Sequence, residues 1–146
     1  MYAELQASSN FSFLRGASHP QELACAAASR GYTAIALTDR NALSGIVLAH
    51  THLKKDPEAQ TRFVVGCRLD LSDGFSLLCY PADRKAYGRL TRLLTLGRRR
   101  AVKGECLLTL PDVAGHAEGQ HFIFPFPQVL SEPVIQQIKT CRDMFS

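Results

Sequence analysis

A carboxylate at the end of a buried strand is a common place for a metal ion or a reacting water, because the strand ends of parallel α/β folds gather functional side chains. The run "ALTDRNALSG", Ala36 to Gly45, puts Asp39 at such an end, with Arg40 directly after it. Two further strand ends carry polar side chains: Gln6-Ala7-Ser8 and Gly66-Cys67-Arg68. If the three strands are parallel neighbours, Gln6, Ser8, Asp39, Arg40 and Arg68 meet in one cleft. A di- or trinuclear metal site needs several inward His, Asp or Glu groups. This set offers one carboxylate and two guanidinium groups. An Arg at ~4 Å from a divalent cation is repelled by on the order of 8 kcal/mol at an effective dielectric of ~20. Three roles stay open for Asp39. It caps the following helix or pairs with Arg40 or Arg68; it belongs to an anion site built on the two arginines; or it is a working metal ligand.

A second constellation is basic. From Arg84 to Lys103 there are eight basic residues (Arg84, Lys85, Arg89, Arg92, Arg98, Arg99, Arg100, Lys103) and no acidic one, against a net charge of +4 for the whole chain. Arg98, Arg99, Arg100 and Lys103 suit phosphate contact and salt-dependent nucleic-acid binding. The plainer reading is a helix end whose cations complement the helix dipole, or a surface that meets another domain. No aromatic residue interleaves Arg98 to Arg100, so base stacking is not suggested there. His19, His50, His52, His116 and His121 fall outside the strand ends. His50 and His52, two apart, cannot share a helix face. Phe11 and Phe13 read as loop anchors.

The elements that must position these groups follow from periodicity. "YAELQAS" reads as a short strand and "NFSFLRGASHP" as a loop. Ser18 and Gln21 fit a capping box for a helix with Pro20 in its first turn, ended by Gly31. "YTAIAL" is an apolar strand of the kind buried on both faces. "ALSGIVLAHTHLKK" predicts the second helix, "RFVVGCRLDL" a third strand, "SDG" a turn and "FSLLCYP" a fourth strand. A helix follows over about Asp83 to Arg99, with Tyr87, Leu90, Leu93 and Leu94 on one face. "KGECLLTLPDVAGHAEG" is mixed, and "HFIFPFP" is a fifth strand ended by prolines. "SEPVIQQIKTCRDMF" predicts a last helix, capped by Ser131, with Val134, Ile138, Cys141 and Phe145 on its apolar face. Strands alternating with helices give the α/β class with mainly parallel strands.

Composition narrows the setting. With 146 residues, 46% of them apolar, the chain can bury a core. No apolar run approaches the ~18 residues of a membrane span, and the first residues lack the flanks of a signal peptide. The five cysteines, odd in number and without CxxC spacing, read as reduced thiols of a cytoplasmic protein.

Three segments, "YAELQASSNFSFLRGASHPQEL", "GYTAIALTDRNALSGIVLAH" and "DRKAYGRLTRLLTLGRRRAVKGECLLTLPDV", carry a resemblance. In order and spacing the chain resembles the N-terminal part of the PHP (polymerase and histidinol phosphatase) domain of bacterial DNA polymerase III alpha-type subunits, on the error-prone branch. The resemblance implies a distorted, TIM-like β/α barrel, and residues 1–146 would be a single truncated domain, about the first half of it. Active members hold a metal cluster at the strand ends. The first motif is His-x-His, where Gln6 and Ser8 stand; the second is Asp-His, here Asp39-Arg40; the third carries a Glu where Arg68 stands. One of these five positions keeps its ligand, so the resemblance implies lineage without metal-dependent catalysis, and no cofactor.

The expectation is a degenerate, metal-free PHP domain fragment of a damage-inducible, translesion polymerase. It would have a structural or interaction role and would not be catalytic on its own. Expected partners are other polymerase domains or mutagenesis-complex proteins, DNA through the 84–103 segment, and a second copy covering the exposed strand edges of a partial barrel. The alternatives are a metal-dependent phosphoesterase of the same superfamily, or a basic nucleic-acid or anion-binding module.

Overall fold

The computed structural model describes residues 1–57, 59–125 and 131–145. The chain forms two compact units. One is Met1–Leu69 with Leu78–Tyr80, and the other is Asp70–Leu77 with Pro81–Ser146.

The first unit holds strands β1 (Ala3–Ala7), β2 (Ala34–Leu37) and β3 (Arg62–Val65), with helices α1 (Pro20–Ser29) and α2 (Ile46–Lys55) between them. The sheet order is β1-β2-β3 and both pairings are parallel. Strand β2 explains why its run is apolar throughout. Ile35 and Leu37 point to one face, where Ala24 and Ala27 of α1 and Ile46, Ala49 and Leu53 of α2 cover them. Ala36 points to the other, against Leu78, Tyr80 and Val64. Burial of each large side chain in this layer contributes about 1.5–3 kcal/mol.

Three local expectations shift. The expected ten-residue third strand divides at Gly66 into β3 and β4 (Cys67–Asp70). A Cβ at Gly66 would lie 2.8 Å from Thr38 Cγ2 and 2.9 Å from the Leu37 carbonyl oxygen, so the chain passes β2 too closely for any side chain. The cap of α1 is His19, one residue later than expected, and Glu22 rather than Gln21 reaches back to accept from the His19 N–H at 2.8 Å. Helix α2 starts at Ile46 rather than Ala42, because Asn41 adopts φ 46° and turns the chain before it can wind.

Strand β5 (Ser76–Pro81) follows β4 after a tight turn in which Leu71 N donates to Phe75 O at 2.8 Å. Adjacent strands joined by so short a loop run antiparallel, so the strands are not parallel throughout. The second sheet has the order β4-β5-β6, with β6 at Gln120–Ile123.

The second unit is organised on α3 (Arg84–Arg100). Asp83 caps it by accepting from Ala86 N at 2.7 Å, one residue before the helix proper. Ala86, Leu90, Leu93, Leu94 and Gly97 form its buried face. A short helix, α4 (Leu110–Ala114), lies in the stretch read as mixed; Thr109 and Asp112 cap it reciprocally. Helix α5 (Glu132–Phe145) buries Cys141, as its apolar stripe requires, and stacks Phe145 on Phe122 with ring centroids 4.4 Å apart. The expected fifth strand runs past Pro125 into residues outside those described. Among the described residues, no helix is long and apolar enough to cross a membrane.

Candidate functional site at the strand ends

The three expected strand ends do come together within the first unit. Thr38 N donates to Ala7 O at 2.8 Å, tying the end of β2 to that of β1. Arg40 and Arg68 pair as an isolated parallel bridge, with Asn41 N donating to Arg68 O at 2.8 Å and Arg68 N to Asp39 O at 3.1 Å. The β1–β2 register slips between Glu4 and Ala7, so Gln6 sits in an irregular step and its side chain is exposed. Ser8 is half-buried, Arg40 exposed and Arg68 half-buried.

Asp39 is the buried centre of this cluster, with 2% of its surface exposed. Its Oδ1 accepts from Ser9 N at 2.8 Å and from the Ser12 hydroxyl at 2.6 Å. Its Oδ2 accepts from the Ser9 hydroxyl at 2.7 Å. Ser12 Oγ in turn accepts from Arg40 N at 3.1 Å. Gly45 completes the enclosure, since a Cβ there would lie 3.3 Å from both Asp39 Oδ2 and Ser9 Oγ. A buried carboxylate is stable when donors satisfy both of its oxygens. Here two serines and a backbone N–H do so.

This arrangement corrects the sequence reading of Asp39. It does not cap α2, whose cap is Gly45. Its carboxylate is held by serines of the loop after β1 rather than by an arginine. Those serines stand at the two ends of "SNFS", Ser9 to Ser12, in the loop whose expected anchors were Phe11 and Phe13. Those two are exposed, Phe13 by 82%, so the loop is anchored by its serines and not by its rings.

The basic residues lie elsewhere. Arg98, Arg99 and Arg100 form the last turn of α3 in the second unit. Arg100 Nη1 donates to Asp112 Oδ2 at 2.6 Å, and Arg89 pairs with Glu118. Lys103 is exposed in the turn beyond the helix. A groove of about 710 Å³ along α3 is lined by Thr91, Arg92, Thr95, Leu96, Arg99, Arg100 and His116. Arg99 and Arg100 are among the contact residues expected from the sequence, and Arg92 joins them in this lining.

An α/β unit with a parallel sheet and polar strand ends drawn into one cluster defines the class, and comparison gives the family. Residues 4–123 match the PHP domain model, and the chain belongs to the PHP domain family. It is 55% identical over 139 residues, 94% of its length, to an error-prone DNA polymerase of Caulobacter vibrioides, and 47% identical over 99% of its length to error-prone DNA polymerase 2 of Rhizobium meliloti. The chain spans 13% of the length of each of these relatives. Among solved structures it is similar to an amidohydrolase from Chromobacterium violaceum with bound sulfate and no metal. That match has a TM-score of 0.69 and 16% identity, over all of this chain and 75% of that one. A metal-dependent phosphoesterase from Bifidobacterium adolescentis matches with a TM-score of 0.54 and 16% identity, over 68% of this chain and 34% of that one. At such identity these two speak for the fold.

The fold family implies a metal cluster at these strand ends, and the residues present do not fit one. Gln6 and Ser8 are neutral, Arg40 and Arg68 are cationic, and both oxygens of Asp39 are engaged by hydrogen-bond donors. Among the described residues, no three His, Cys, Asp or Glu side chains stand together as a shared ion would need.

Proposed function

We propose that this chain is the PHP portion of an error-prone, lesion-bypass DNA polymerase in which the strand-end cluster is a structural lock rather than a catalytic centre. The observation that carries the reading is the Asp39 carboxylate, whose three hydrogen bonds tie the loop after β1 to the end of β2. A group so engaged has one lone pair, on Oδ2, left to offer a cation, beside two arginines. Identity of about half to named error-prone polymerases supports the polymerase setting.

The role that follows is scaffolding. The domain would meet other domains of the polymerase, or proteins that act with it in damage-induced synthesis. The outer strands β1 and β3 of the parallel sheet are the edges such neighbours would cover, and in the isolated chain a second copy would serve. Light scattering that gave a strict monomer at every concentration would remove the second copy.

Metal analysis of protein purified without chelator tests the central claim, alongside a phosphatase assay on a simple phosphomonoester. The expected result is metal well below one equivalent and no hydrolysis above buffer. Stoichiometric zinc, manganese or iron together with phosphatase activity would overturn it.

A further inference from the structure

The groove along α3 has a charge pattern that helix stability does not explain. Cations in a last helical turn complement the helix dipole, and that accounts for Arg98, Arg99 and Arg100. The effect fades within one turn. Arg92 lies seven residues before Arg99, about 10 Å along the axis, and so is beyond its reach. Nor do acids on the helix itself balance it, because α3 contains none. The neighbouring acids are already used, Glu118 by Arg89 and Asp112 by Arg100. Among the described residues, Arg92 and Arg99 make no ion pair.

These two arginines stand on one side of the helix, two turns apart, with Thr95 and Leu96 between them in the same groove. The hydroxyls of Thr91 and Thr95 donate inward, to Gly88 O at 2.9 Å and Thr91 O at 2.8 Å. The His116 ring is fixed by donating from Nδ1 to Asp112 O at 2.8 Å. The donors left to a ligand are therefore guanidinium N–H groups, whose forked geometry matches phosphate oxygens. With no Phe, Tyr or Trp in the lining, the site favours phosphates over stacked bases.

We propose that this groove binds phosphate groups through Arg92 and Arg99, in the first place those along the backbone of single-stranded DNA. Such a contact is indifferent to sequence and strongly salt-dependent. It stands on the groove alone and does not depend on whether the strand-end cluster is metal-free.

The test is fluorescence anisotropy of a labelled oligothymidylate against the 146-residue chain over a series of salt concentrations. Wild type is compared with Arg92→Gln/Arg99→Gln and with Lys54→Gln/Arg62→Gln, which removes the same charge from exposed positions of the first unit. Circular dichroism confirms that each variant folds. The groove variant is expected to bind on the order of tenfold more weakly at low salt. Its slope of log affinity against log salt should fall by about 0.7 for each phosphate that the protein no longer neutralises. A parallel calorimetric titration with inorganic pyrophosphate separates the sources. Arginine-dependent binding of pyrophosphate but not DNA would keep the phosphate site and overturn the strand. No binding of either, a groove variant equal to wild type, or an equal loss in the control variant would overturn the proposal.

Discussion

The carboxylate of Asp39 and the hydroxyl of Ser12, separated by 27 positions in sequence, meet at 2.6 Å inside the protein. That is a short hydrogen bond, at the near end of the range for a hydroxyl donor. It joins the end of a central strand to the loop after β1, whose backbone is also tied by Asn10 N to Ser18 O and by Gly16 N to Ser12 O. Leu14 in that loop adopts φ 60°, a left-handed conformation that only a well-held loop sustains in a residue of its kind.

Removing the carboxylate should therefore loosen the unit rather than silence a reaction. Asp39→Ala leaves Ser9 N and two hydroxyls without their acceptor, and is expected to cost about 3 kcal/mol. Ser12→Ala should cost about 1.5 kcal/mol, because it also removes the acceptor of Arg40 N. Urea denaturation of both variants and the double variant gives the coupling, which should be at least ~1 kcal/mol. Additive losses would mean that the two side chains do not act together.

Much of this was legible in the sequence because it rests on pattern. The apolar run Ala34–Leu37 announces a strand buried on both faces, and Asp39, Arg40 and Arg68 do meet beyond its end, through an isolated bridge to β4 rather than within the parallel sheet. Partners were harder to read. Ser9 reaches Asp39 across 30 positions, and nothing in a linear pattern distinguishes a serine that closes a carboxylate's shell from one in water. The break at Gly66 was hidden for a similar reason. Its cause is the approach of Leu37 O and Tyr80, which only the folded chain supplies. Helix α4 is too short for periodicity to declare it; its signal is the Thr109–Asp112 cap.

Two glycines of α3 should respond to alanine in opposite ways. A Cβ at Gly88 meets nothing within 4 Å, so Gly88→Ala should stabilise by about 0.5–1 kcal/mol through helix propensity. A Cβ at Gly97 would lie 2.6 Å from Cys106 Sγ and from Leu108 Cδ2, and Leu108 is fully buried. Gly97→Ala should destabilise by about 1–3 kcal/mol despite the same gain in propensity. Thermal unfolding of the two variants checks the sign of each.

The cap of α4 should make stability depend on acid pH. Burial alone would raise the Asp112 carboxyl, but hydrogen bonds from the Thr109 side chain, Arg100 and the Thr109 backbone outweigh it and hold the group below the ordinary range. A carboxyl depressed in the folded state stabilises fully above its unfolded value of about 3.9, and the stability is lost as pH falls through the folded value. Wild type should therefore exceed Asp112→Asn in stability at neutral pH, and the gap should close below about pH 4. A gap that stayed constant to the lowest pH reached would show that the charge is not what holds the cap.

Thiol reactivity should follow burial and not position in sequence. The thiolate is the reacting form, and burial pushes the Cys79 thiol up to about 12 and raises those of Cys106 and Cys141. Cys67 is buried as well, whereas Cys25 is exposed on α1. In a mildly alkaline disulfide-exchange assay one thiol should react fast, and Cys25→Ser should abolish that phase. Cys79 should react only once denaturant opens the fold. Equal rates at Cys25 and Cys79 in the native protein would mean that β5 opens readily, and with it the packing of Leu78 and Tyr80 over Ala36.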